Sequence, residues 1–177
     1  MRDLPERLVV IGCGPVGSEF AQAFARLGSR VTQVEFADRM LPQEDPDISA
    51  LMTAVFDSEG VEQIFGAGVS RVWRDGDGIH VKVDERELVC DRLLYATGRR
   101  PVVEGLGLEA AGVVFDHSGI RVDDRMRTSA KHIYAVGDCN GSPQFTHYAG
   151  WQGAMAARNA ILPGTDPGTV ELVPRGT

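Results

Sequence analysis

Apolar residues change their spacing along the chain, and the change predicts two kinds of structure. Up to Phe65, short apolar runs alternate with segments of helical spacing, which is typical of strands and helices that follow one another in an α/β fold. In chain order we predict a strand over 7–12, a helix over 15–27 closed by Gly28, a strand over 31–35, a helix from Asp45-Pro46 to Gly60 and a strand over 61–65.

The helix over 15–27 carries apolar residues at helical spacing, and we expect them to form its buried face. They are Val16, Phe20, Ala23, Phe24 and Leu27. Before the second helix, the carboxylate of Asp45 is expected to accept hydrogen bonds from backbone N–H groups, and Pro46 suits the first turn.

Beyond the third strand the spacing changes to period two, which predicts a small antiparallel meander. Its strands cover 69–74, 79–84 and 87–90, with Asp75-Gly76-Asp77-Gly78 as the first turn. A short buried strand over 91–95 follows. Residues 1–100 therefore have the layout of a dinucleotide-binding domain, namely a βαβαβ unit with a meander and a returning strand.

The second part of the chain, residues 101–177, has fewer elements. We predict a short helix over 106–111, strands over 119–122 and 132–136, and a longer helix over 146–161 that is ended by Leu162-Pro163-Gly164. These elements are too few to cover both faces of a sheet. The predicted fold class is α/β, with a Rossmann-like domain followed by an incomplete second domain.

Composition and charge limit the classes of partner. A length of 177 residues and an apolar fraction of 43% suit a domain or a domain and a half. The net charge of −7 disfavours nucleic acid and anionic membranes as partners of the whole surface. The chain has neither a signal-peptide pattern nor an apolar run of membrane-spanning length, so we expect a cytoplasmic protein.

Three cysteines, Cys13, Cys90 and Cys139, lie far apart, which suits free thiols in a reducing compartment. No metal-ligand spacing links them to the histidines, so we expect no metal site. We interpret Cys13 as a small packing residue rather than a reactive thiol.

A glycine-rich turn joins the first strand to the first helix and reads Gly12-Cys13-Gly14-Pro15-Val16-Gly17. In a dinucleotide-binding turn, Gly12 permits the tight bend, Gly14 lets the backbone approach the diphosphate, and Gly17 lets the helix pack close to the strand. The diphosphate would then lie on the N-terminus of the helix, near Pro15 and Val16.

Glu35 ends the second strand, where a carboxylate accepts hydrogen bonds from the ribose hydroxyls of the adenosine half of the cofactor. Because it would repel a 2′-phosphate, Glu35 predicts NAD in preference to NADP. Arg39 is nearby and offers the alternative of binding that phosphate. Glu19 is expected in the first turn of the helix, where the helix dipole alone favours a carboxylate.

Two further motifs follow in a fixed order. The first is Ala96-Thr97-Gly98-Arg99-Arg100-Pro101, and the second joins Thr128 to Ile133-Tyr134-Ala135-Val136-Gly137-Asp138. With the glycine-rich turn extended to Glu19, the chain resembles the pyridine nucleotide-disulfide oxidoreductases, the FAD-dependent group of dihydrolipoamide dehydrogenase, glutathione reductase and mercuric reductase. The resemblance covers essentially the whole chain.

The resemblance implies cofactor contacts in both parts. Glu19 would lie near the nicotinamide, and Gly98 belongs to the segment where the chain leaves the NAD domain. Asp138, after Gly137, would hydrogen-bond the ribityl chain of FAD. The start of the last helix would point backbone N–H groups at the pyrimidine edge of the flavin, where they would stabilise the negative charge of its reduced form. That start contains Phe145, Thr146, His147 and Ala149, of which His147 is not interpreted as catalytic.

Several family features are missing from the chain. It has no earlier GxGxxG motif, no Cys-x4-Cys redox pair and no dimerisation domain with a His-Glu pair. We therefore expect the central part of a longer homodimeric enzyme, with no catalytic residue of its own. Alone, the chain is expected to be inactive and to self-associate through residues 101–177.

Dihydrolipoamide dehydrogenase is the activity that the resemblance favours, and two alternatives stay open. Dihydrolipoamide dehydrogenases commonly show His-Lys-Ala-x-x-Glu-Gly in the last helix, whereas this chain has His147-Tyr148-Ala149-Gly150-Trp151-Gln152-Gly153. The first alternative is a mercuric reductase-like enzyme. The second is a free-standing NAD-binding module without catalytic activity.

Overall fold

The apolar runs and helical segments of the first hundred residues fold as predicted in a computed structural model, which describes residues 3–162. Up to Gly98 the elements are β1 (Arg7–Ile11), α1 (Pro15–Arg26), β2 (Arg30–Val34), α2 (Pro46–Ser58), β3 (Glu62–Ile64), β4 (Val69–Asp75), β5 (Gly78–Val83), β6 (Arg86–Cys90) and β7 (Arg92–Tyr95). The α/β class, with a parallel sheet and an antiparallel meander, is confirmed. The chain forms two units that divide between Gly98 and Arg99.

β1 lies inside a parallel sheet whose strand order is β3-β2-β1-β7. The register aligns Ile11, the last residue of β1, with Val34 of β2 on one side and with Tyr95 of β7 on the other. At the opposite end, Arg7 donates hydrogen bonds of 3.2 and 2.7 Å from Nε and Nη2 to Oδ1 of Asp91. The carboxyl ends of β1, β2 and β7 therefore meet at one edge of the sheet.

Both faces of this sheet are covered. Leu8 and Val10 of β1 lie in a core with Phe56 of α2, whereas Val9 and Ile11 lie in a second core with the meander. Burying one such side chain contributes about 1.5–3 kcal/mol. A strand that is buried on both faces needs apolar residues at successive positions, which explains the unbroken apolar run of β1.

α1 presents a different face to the sheet than its apolar spacing predicts. The buried residues of α1 are Gly17, Ser18 and Ala21. The predicted core residues Val16, Phe20 and Leu27 are 53%, 47% and 67% exposed. A Cβ atom at Gly17 would overlap the carbonyl oxygen of Gly12, so the helix lies too close to the turn for large side chains on that face. Of the predicted face, Phe24 packs against the core, whereas the prediction was wrong for Val16, Phe20, Ala23 and Leu27.

Three smaller expectations also differ from the structure. Asp45 precedes α2, but its carboxylate makes no capping hydrogen bond. Since α1 begins at Pro15, Glu19 lies in its second turn and not in the first, where the helix dipole acts most strongly. β7 is only partly buried, and Tyr95 is 62% exposed, because β7 is the last strand at its side of the sheet.

The meander pairs in the order β4-β5-β6 and is held by a buried histidine. Nδ1 of His80 lies 2.7 Å from Oε1 of Glu87, and its Nε2 lies 2.7 Å from Oδ1 of Asp75. These hydrogen bonds raise the pKa of His80, first through Glu87 and then through Asp75, and so favour the imidazolium. The same ring stacks on Trp73, so His80 links all three strands.

The second unit is smaller and holds fewer regular elements. They are β8 (Phe115–Asp116), β9 (Gly119–Ile120), a 3₁₀ helix (Gly137–Asn140) and α3 (Thr146–Ile161). α3 has the predicted bounds. The buried residues Val103, Leu108, Val113, Ile120 and Ala135 form a small hydrophobic core in this unit. No helix within residues 3–162 is long and apolar enough to span a bilayer.

Two predicted elements of this unit are absent. Residues 106–111 form turns in place of a helix, because Gly105, Gly107 and Gly112 adopt positive φ and interrupt the segment. Residues 132–136 make one isolated bridge, between Tyr134 and Arg127, in place of a strand. The strand predicted over 119–122 shortens to Gly119–Ile120, which pairs with β8. The predicted helix stop at Pro163-Gly164 lies outside the described residues.

Candidate functional site

The glycine-rich turn lies at the carboxyl ends of β1, β2 and β7. The N–H of Gly12 donates to the carbonyl of Val34 at 2.8 Å, and the N–H of Ala96 donates to the carbonyl of Ile11 at 2.8 Å. Open parallel sheets bind their ligands at this end, where neighbouring connections leave in opposite directions. Topology therefore places the turn where a ligand of such a fold binds.

The surroundings of each glycine in the turn give a different physical reason for glycine at that position. Gly12 has φ of +105°, and a Cβ atom there would overlap the carbonyl oxygen of Ala96. Gly17 has no room for a Cβ atom either, as described above. Gly14 is different, since a Cβ atom at this position would meet nothing within 4 Å. The open side of Gly14 fits the close approach of a ligand to the backbone.

The N-terminus of α1 adds hydrogen-bond donors beside Gly14. Pro15 is the first residue of α1 and has no N–H, and both Pro15 and Val16 are exposed. The first N–H groups of a helix lack carbonyl partners within it and carry the positive end of the helix dipole. The turn and α1 together fit a diphosphate.

Glu35 follows β2 and binds the glycine-rich turn directly. Its Oε2 accepts a hydrogen bond of 2.7 Å from the N–H of Cys13, and its Oε1 accepts one of 3.0 Å from the N–H of Ala37. Each carboxylate oxygen can accept a second hydrogen bond, so Glu35 can still bind ribose hydroxyls. The contact with Cys13 was not predicted, because sequence spacing indicates only that Glu35 ends its strand.

Cys13 is fully buried at the centre of the turn, which agrees with its interpretation as a packing residue. Burial, followed by the nearby charge of Glu35, raises the pKa of its thiol to about 12. Since the thiolate is the reactive form, Cys13 should be inert at neutral pH.

We expect the folded chain at pH 8 to react with a chromogenic disulfide reagent more slowly at Cys13 than at Cys139, which is partly exposed. Peptide mapping after partial labelling measures both rates, and labelling in denaturant is the control for full access. Equal rates at the two cysteines in the folded chain would contradict the burial of Cys13.

Glu19 and Gly98 lie apart from the contacts of the turn. Glu19 is exposed on α1, and Gly98 ends the first unit with φ of +104° and open space on its Cβ side. In the structure, neither residue takes part in the hydrogen bonding between the turn and Glu35.

In the second unit, Gly137 and Asp138 begin the 3₁₀ helix. Gly137 has φ of +74°, and a Cβ atom there would lie 3.0 Å from Cβ of Ala149 in α3. Nη1 of Arg99 lies 3.6 Å from Oδ2 of Asp138, and its Nη2 donates a hydrogen bond of 2.7 Å to the carbonyl of Gln144. Arg99 of the Ala-Thr-Gly-Arg-Arg-Pro motif thus joins Asp138 to the segment that leads into α3.

The start of α3 is open. Phe145 is its N-cap residue and forms no side-chain cap, and its ring stacks on His147 with centroids 5.4 Å apart. Thr146 and His147 are exposed, whereas Tyr148 is buried. With no side chain capping them, the first N–H groups of this helix are available to an anionic or polar ligand.

Gln152 was missed by the sequence analysis, although it is 1% exposed and connects α3 to the 3₁₀ helix. Its Oε1 accepts hydrogen bonds from the N–H of Gly137 at 2.7 Å and from Nδ2 of Asn140 at 3.1 Å. Its Nε2 donates to Oγ of Ser142 at 2.9 Å. The departure from the His-Lys-Ala-x-x-Glu-Gly pattern at Gln152 was the one available signal.

The described residues contain no group of His, Cys, Asp or Glu side chains that would hold a metal ion. The cysteines Cys13, Cys90 and Cys139 are free. The candidate binding groups are therefore of two kinds. The first unit has the glycine-rich turn, which fits a diphosphate, and the second unit has Asp138 beside the uncapped start of α3.

Comparison with known proteins agrees with this chemistry. The chain is 39% identical to mercuric reductase from Bacillus cereus over 98% of its own length and 28% of that protein. It is 42% identical to dihydrolipoyl dehydrogenase from Thermus scotoductus over 89% of its own length and 36% of that protein. It therefore spans about a third of the length of these relatives.

Solved structures give the same result. LpdA from Mycobacterium tuberculosis is 35% identical and superposes with a TM-score of 0.86 over 94% of this chain and 37% of that one. The HOCl-induced flavoprotein disulfide reductase RclA from Escherichia coli is 34% identical, with a TM-score of 0.85 over 94% of this chain and 38% of that one. The model of the pyridine nucleotide-disulphide oxidoreductase family matches residues 1–153, and the chain belongs to that family.

Proposed function

We propose that the chain is the nucleotide-binding part of an FAD-dependent NAD(P)H:disulfide oxidoreductase, most like dihydrolipoyl dehydrogenase. The observation that carries this proposal is the open side of Gly14 at the carboxyl edge of the sheet, beside the N-terminus of α1. Relatives named dihydrolipoyl dehydrogenase, at 41% and 42% identity, support the choice of activity.

The first unit would hold the dinucleotide. Gly14, Val16 and Gly17 would offer backbone N–H groups to the diphosphate, Gly12 would keep the turn tight, and Glu35 would accept from the ribose hydroxyls. Glu19 and Gly98 are proposed, from the resemblance alone, to lie near the nicotinamide end. When bound, nicotinamide and flavin supply hydride transfer in the intact enzyme, and the electron pair then reaches a disulfide.

The second unit would contribute to the flavin site. Asp138 would accept from ribityl hydroxyls, and the N–H groups of Thr146 and His147, which follow the N-cap residue Phe145, would face the pyrimidine edge. The N–H of Phe145 itself donates to the carbonyl of Pro143 at 2.9 Å. Because Arg99 lies close to Asp138, the carboxylate stays paired and the cost of bringing it beside a cofactor is reduced.

NAD is proposed as the preferred dinucleotide, with NADP as the weaker ligand. The carboxylate of Glu35 at the end of β2 would repel a 2′-phosphate bound beside it, because like charges repel. Arg39 uses two of its five guanidinium N–H groups within its own loop, since its Nη2 donates to the carbonyls of Pro42 at 2.9 Å and of Glu44 at 3.1 Å, which leaves fewer of them for a 2′-phosphate.

Mercuric reductase is the second candidate activity. The Bacillus cereus enzyme matches 98% of the chain, and another mercuric reductase, from Acidithiobacillus ferrooxidans, is 46% identical. Gln152 in place of the Glu of dihydrolipoamide dehydrogenases also separates the chain from that group. The non-catalytic NAD-binding module is less well supported, because the second unit carries Asp138 and an open helix start that such a module would not need.

The remaining proposals concern the whole protein. We propose a cytoplasmic homodimer whose partners are small-molecule cofactors, with no nucleic acid and no membrane. The chain alone would be inactive, because it has no Cys-x4-Cys pair. It would also self-associate, since Val102, Leu106 and Ile161 of the second unit are 72%, 59% and 76% exposed.

The proposed dinucleotide is tested by titrating the chain with NADH and NADPH in a calorimeter. We expect NADH to bind more tightly. Glu35→Ala should weaken NADH binding by about 1–3 kcal/mol, because a charged acceptor is lost. It should also narrow the difference in affinity between NADH and NADPH. Glu85→Ala, which removes an exposed acid of the same unit, is the matched control and should change neither affinity. NADPH binding as tightly as NADH would refute the NAD assignment.

A further inference from the structure

Residues 36–45, here called the returning loop, leave β2 and fold back onto the glycine-rich turn. The N–H of Leu41 donates a hydrogen bond of 2.9 Å to the carbonyl of Cys13. Met40 is fully buried, and Leu41 packs against the same core that contains Cys13. The returning loop is therefore part of the framework that shapes the turn.

Leu41 adopts a backbone conformation that needs support. Its φ is +47°, in the left-handed region that residues other than glycine rarely adopt. Its carbonyl accepts hydrogen bonds from the N–H of Glu44 at 2.9 Å and from Oγ of Ser49 at 3.3 Å, and Ser49 is 2% exposed. Both polar backbone groups of Leu41 are thus hydrogen-bonded, its N–H to Cys13 and its carbonyl to Glu44 and Ser49, and these contacts hold the unusual conformation.

Arg39 contacts residues that follow Leu41 in the returning loop. A single nitrogen of its guanidinium, Nη2, donates to the carbonyls of Pro42 and Glu44. Both hydrogens of that nitrogen are used within the returning loop, and charge-assisted donors form the stronger class of hydrogen bond. The guanidinium thus closes the loop around Leu41.

These contacts continue to the peptide groups of Cys13. Its carbonyl accepts from Leu41, and its N–H donates to Oε2 of Glu35 at 2.7 Å. Both polar backbone groups of the residue before Gly14 are therefore fixed by the protein. Fixed in this way, the turn keeps the open side of Gly14 available to a diphosphate before the ligand binds.

We propose that Arg39 is a positioning residue for the dinucleotide, which acts through Leu41 on the glycine-rich turn and does not receive a 2′-phosphate. The inference rests on the proposed nucleotide-binding function of the first unit. Because the turn contacts the diphosphate shared by both nucleotides, loss of the Arg39 contacts weakens NADH and NADPH equally. A phosphate receptor would weaken NADPH alone.

Fluorescence titration of the full chain with NADH and NADPH separates these roles. We expect Arg39→Gln to raise both dissociation constants by roughly tenfold, the change that loss of one charge-assisted hydrogen bond produces, and to leave their ratio unchanged. Arg39→Lys should recover part of the affinity, because an ammonium can still donate to one or two of the carbonyls. Arg74→Gln, at an exposed arginine of β4, is the matched control and should change nothing. A selective loss of NADPH, or no change with either nucleotide, would overturn the proposal.

Amide hydrogen exchange of the free chain tests the positioning role without a nucleotide. In Arg39→Gln we expect faster exchange at the N–H groups of Cys13 and Leu41, while Val81 in the meander keeps its rate. Unchanged exchange at Cys13 and Leu41, or acceleration that also reaches Val81, would overturn the proposal. If the wild-type chain binds neither nucleotide, the proposed function fails, and amide exchange still decides the role of Arg39. Should Arg39→Gln fail to fold, Arg39→Lys gives the same comparison.

Discussion

Gly17→Ala is expected to destabilise the first unit by about 3 kcal/mol or more, because a methyl group at this position has no space. It would overlap the carbonyl oxygen of Gly12 and lie 3.0 Å from the carbonyl carbon and 3.3 Å from Cβ of Ala96. Because two of these three atoms belong to the backbone of Gly12, rotation of a side chain cannot relieve the overlap. Domains of this size have a total stability of about 5–15 kcal/mol, so this loss is large. Urea unfolding followed by circular dichroism measures it.

Gly14→Ala is the matched control for this prediction, because it adds the same methyl group to the same turn. Gly14 has φ of −71° and open space on its Cβ side, so alanine fits without strain. We expect its free energy of unfolding to fall by no more than about 1 kcal/mol, because alanine is a poorer N-cap residue than glycine, while NADH binding weakens because the methyl group occupies the approach of the diphosphate. Equal unfolding midpoints for Gly17→Ala and the wild type would contradict the close packing of α1 on the turn.

Gln152→Leu is expected to destabilise the second unit by roughly 2–4 kcal/mol, since buried donors are left without an acceptor. Leucine has a similar volume but cannot accept from the N–H of Gly137, and it also removes the acceptor for Asn140 and the donor for Ser142. Because these contacts join α3 to the turn that carries Asp138, the loss should appear first in the second unit. Limited proteolysis of residues 99–162 and thermal unfolding measure it.

Gln43→Leu makes the same substitution at an exposed position of the other unit and serves as the control. Its effect should stay within about 0.5 kcal/mol, as is usual for surface changes. Gln152→Glu keeps an acceptor for Gly137 but loses the donor to Ser142 and buries a charge, so it should also be less stable than the wild type. Identical stabilities of Gln152→Leu and Gln43→Leu would show that the Gln152 contacts contribute nothing.

The parts of the fold that follow from local pattern were predictable. β1 has an apolar run because both of its faces are buried, and the glycine spacing after it reflects close backbone contacts with Ala96. α3 has clear bounds for a similar reason, since its helical spacing is long and uninterrupted. In these segments, the features that determine the structure lie within a few residues of one another.

The parts that depend on distant contacts were not predictable. The apolar spacing of α1 could not reveal that Gly17, Ser18 and Ala21 would face the sheet, because that choice depends on how closely the helix approaches the turn. The hydrogen bond between Glu35 and Cys13 joins residues 22 positions apart, and the one between Gln152 and Gly137 joins residues 15 positions apart. Such pairs leave no periodic signal in the sequence.

The position of β7 in the sheet determines when the glycine-rich turn can form during synthesis. β1 pairs with β2 soon after both leave the ribosome, but its other neighbour arrives only with Asp91, 84 residues after Arg7. Closing so long a segment is slow, because the chain loses entropy before the parallel strands gain their hydrogen bonds. Until then Ala96 does not confine Gly12, and one side of β1 stays unpaired. We therefore expect the nascent chain to leave one side of its most apolar strand unpaired until β7 has been made, and to complete the glycine-rich turn only after the whole meander.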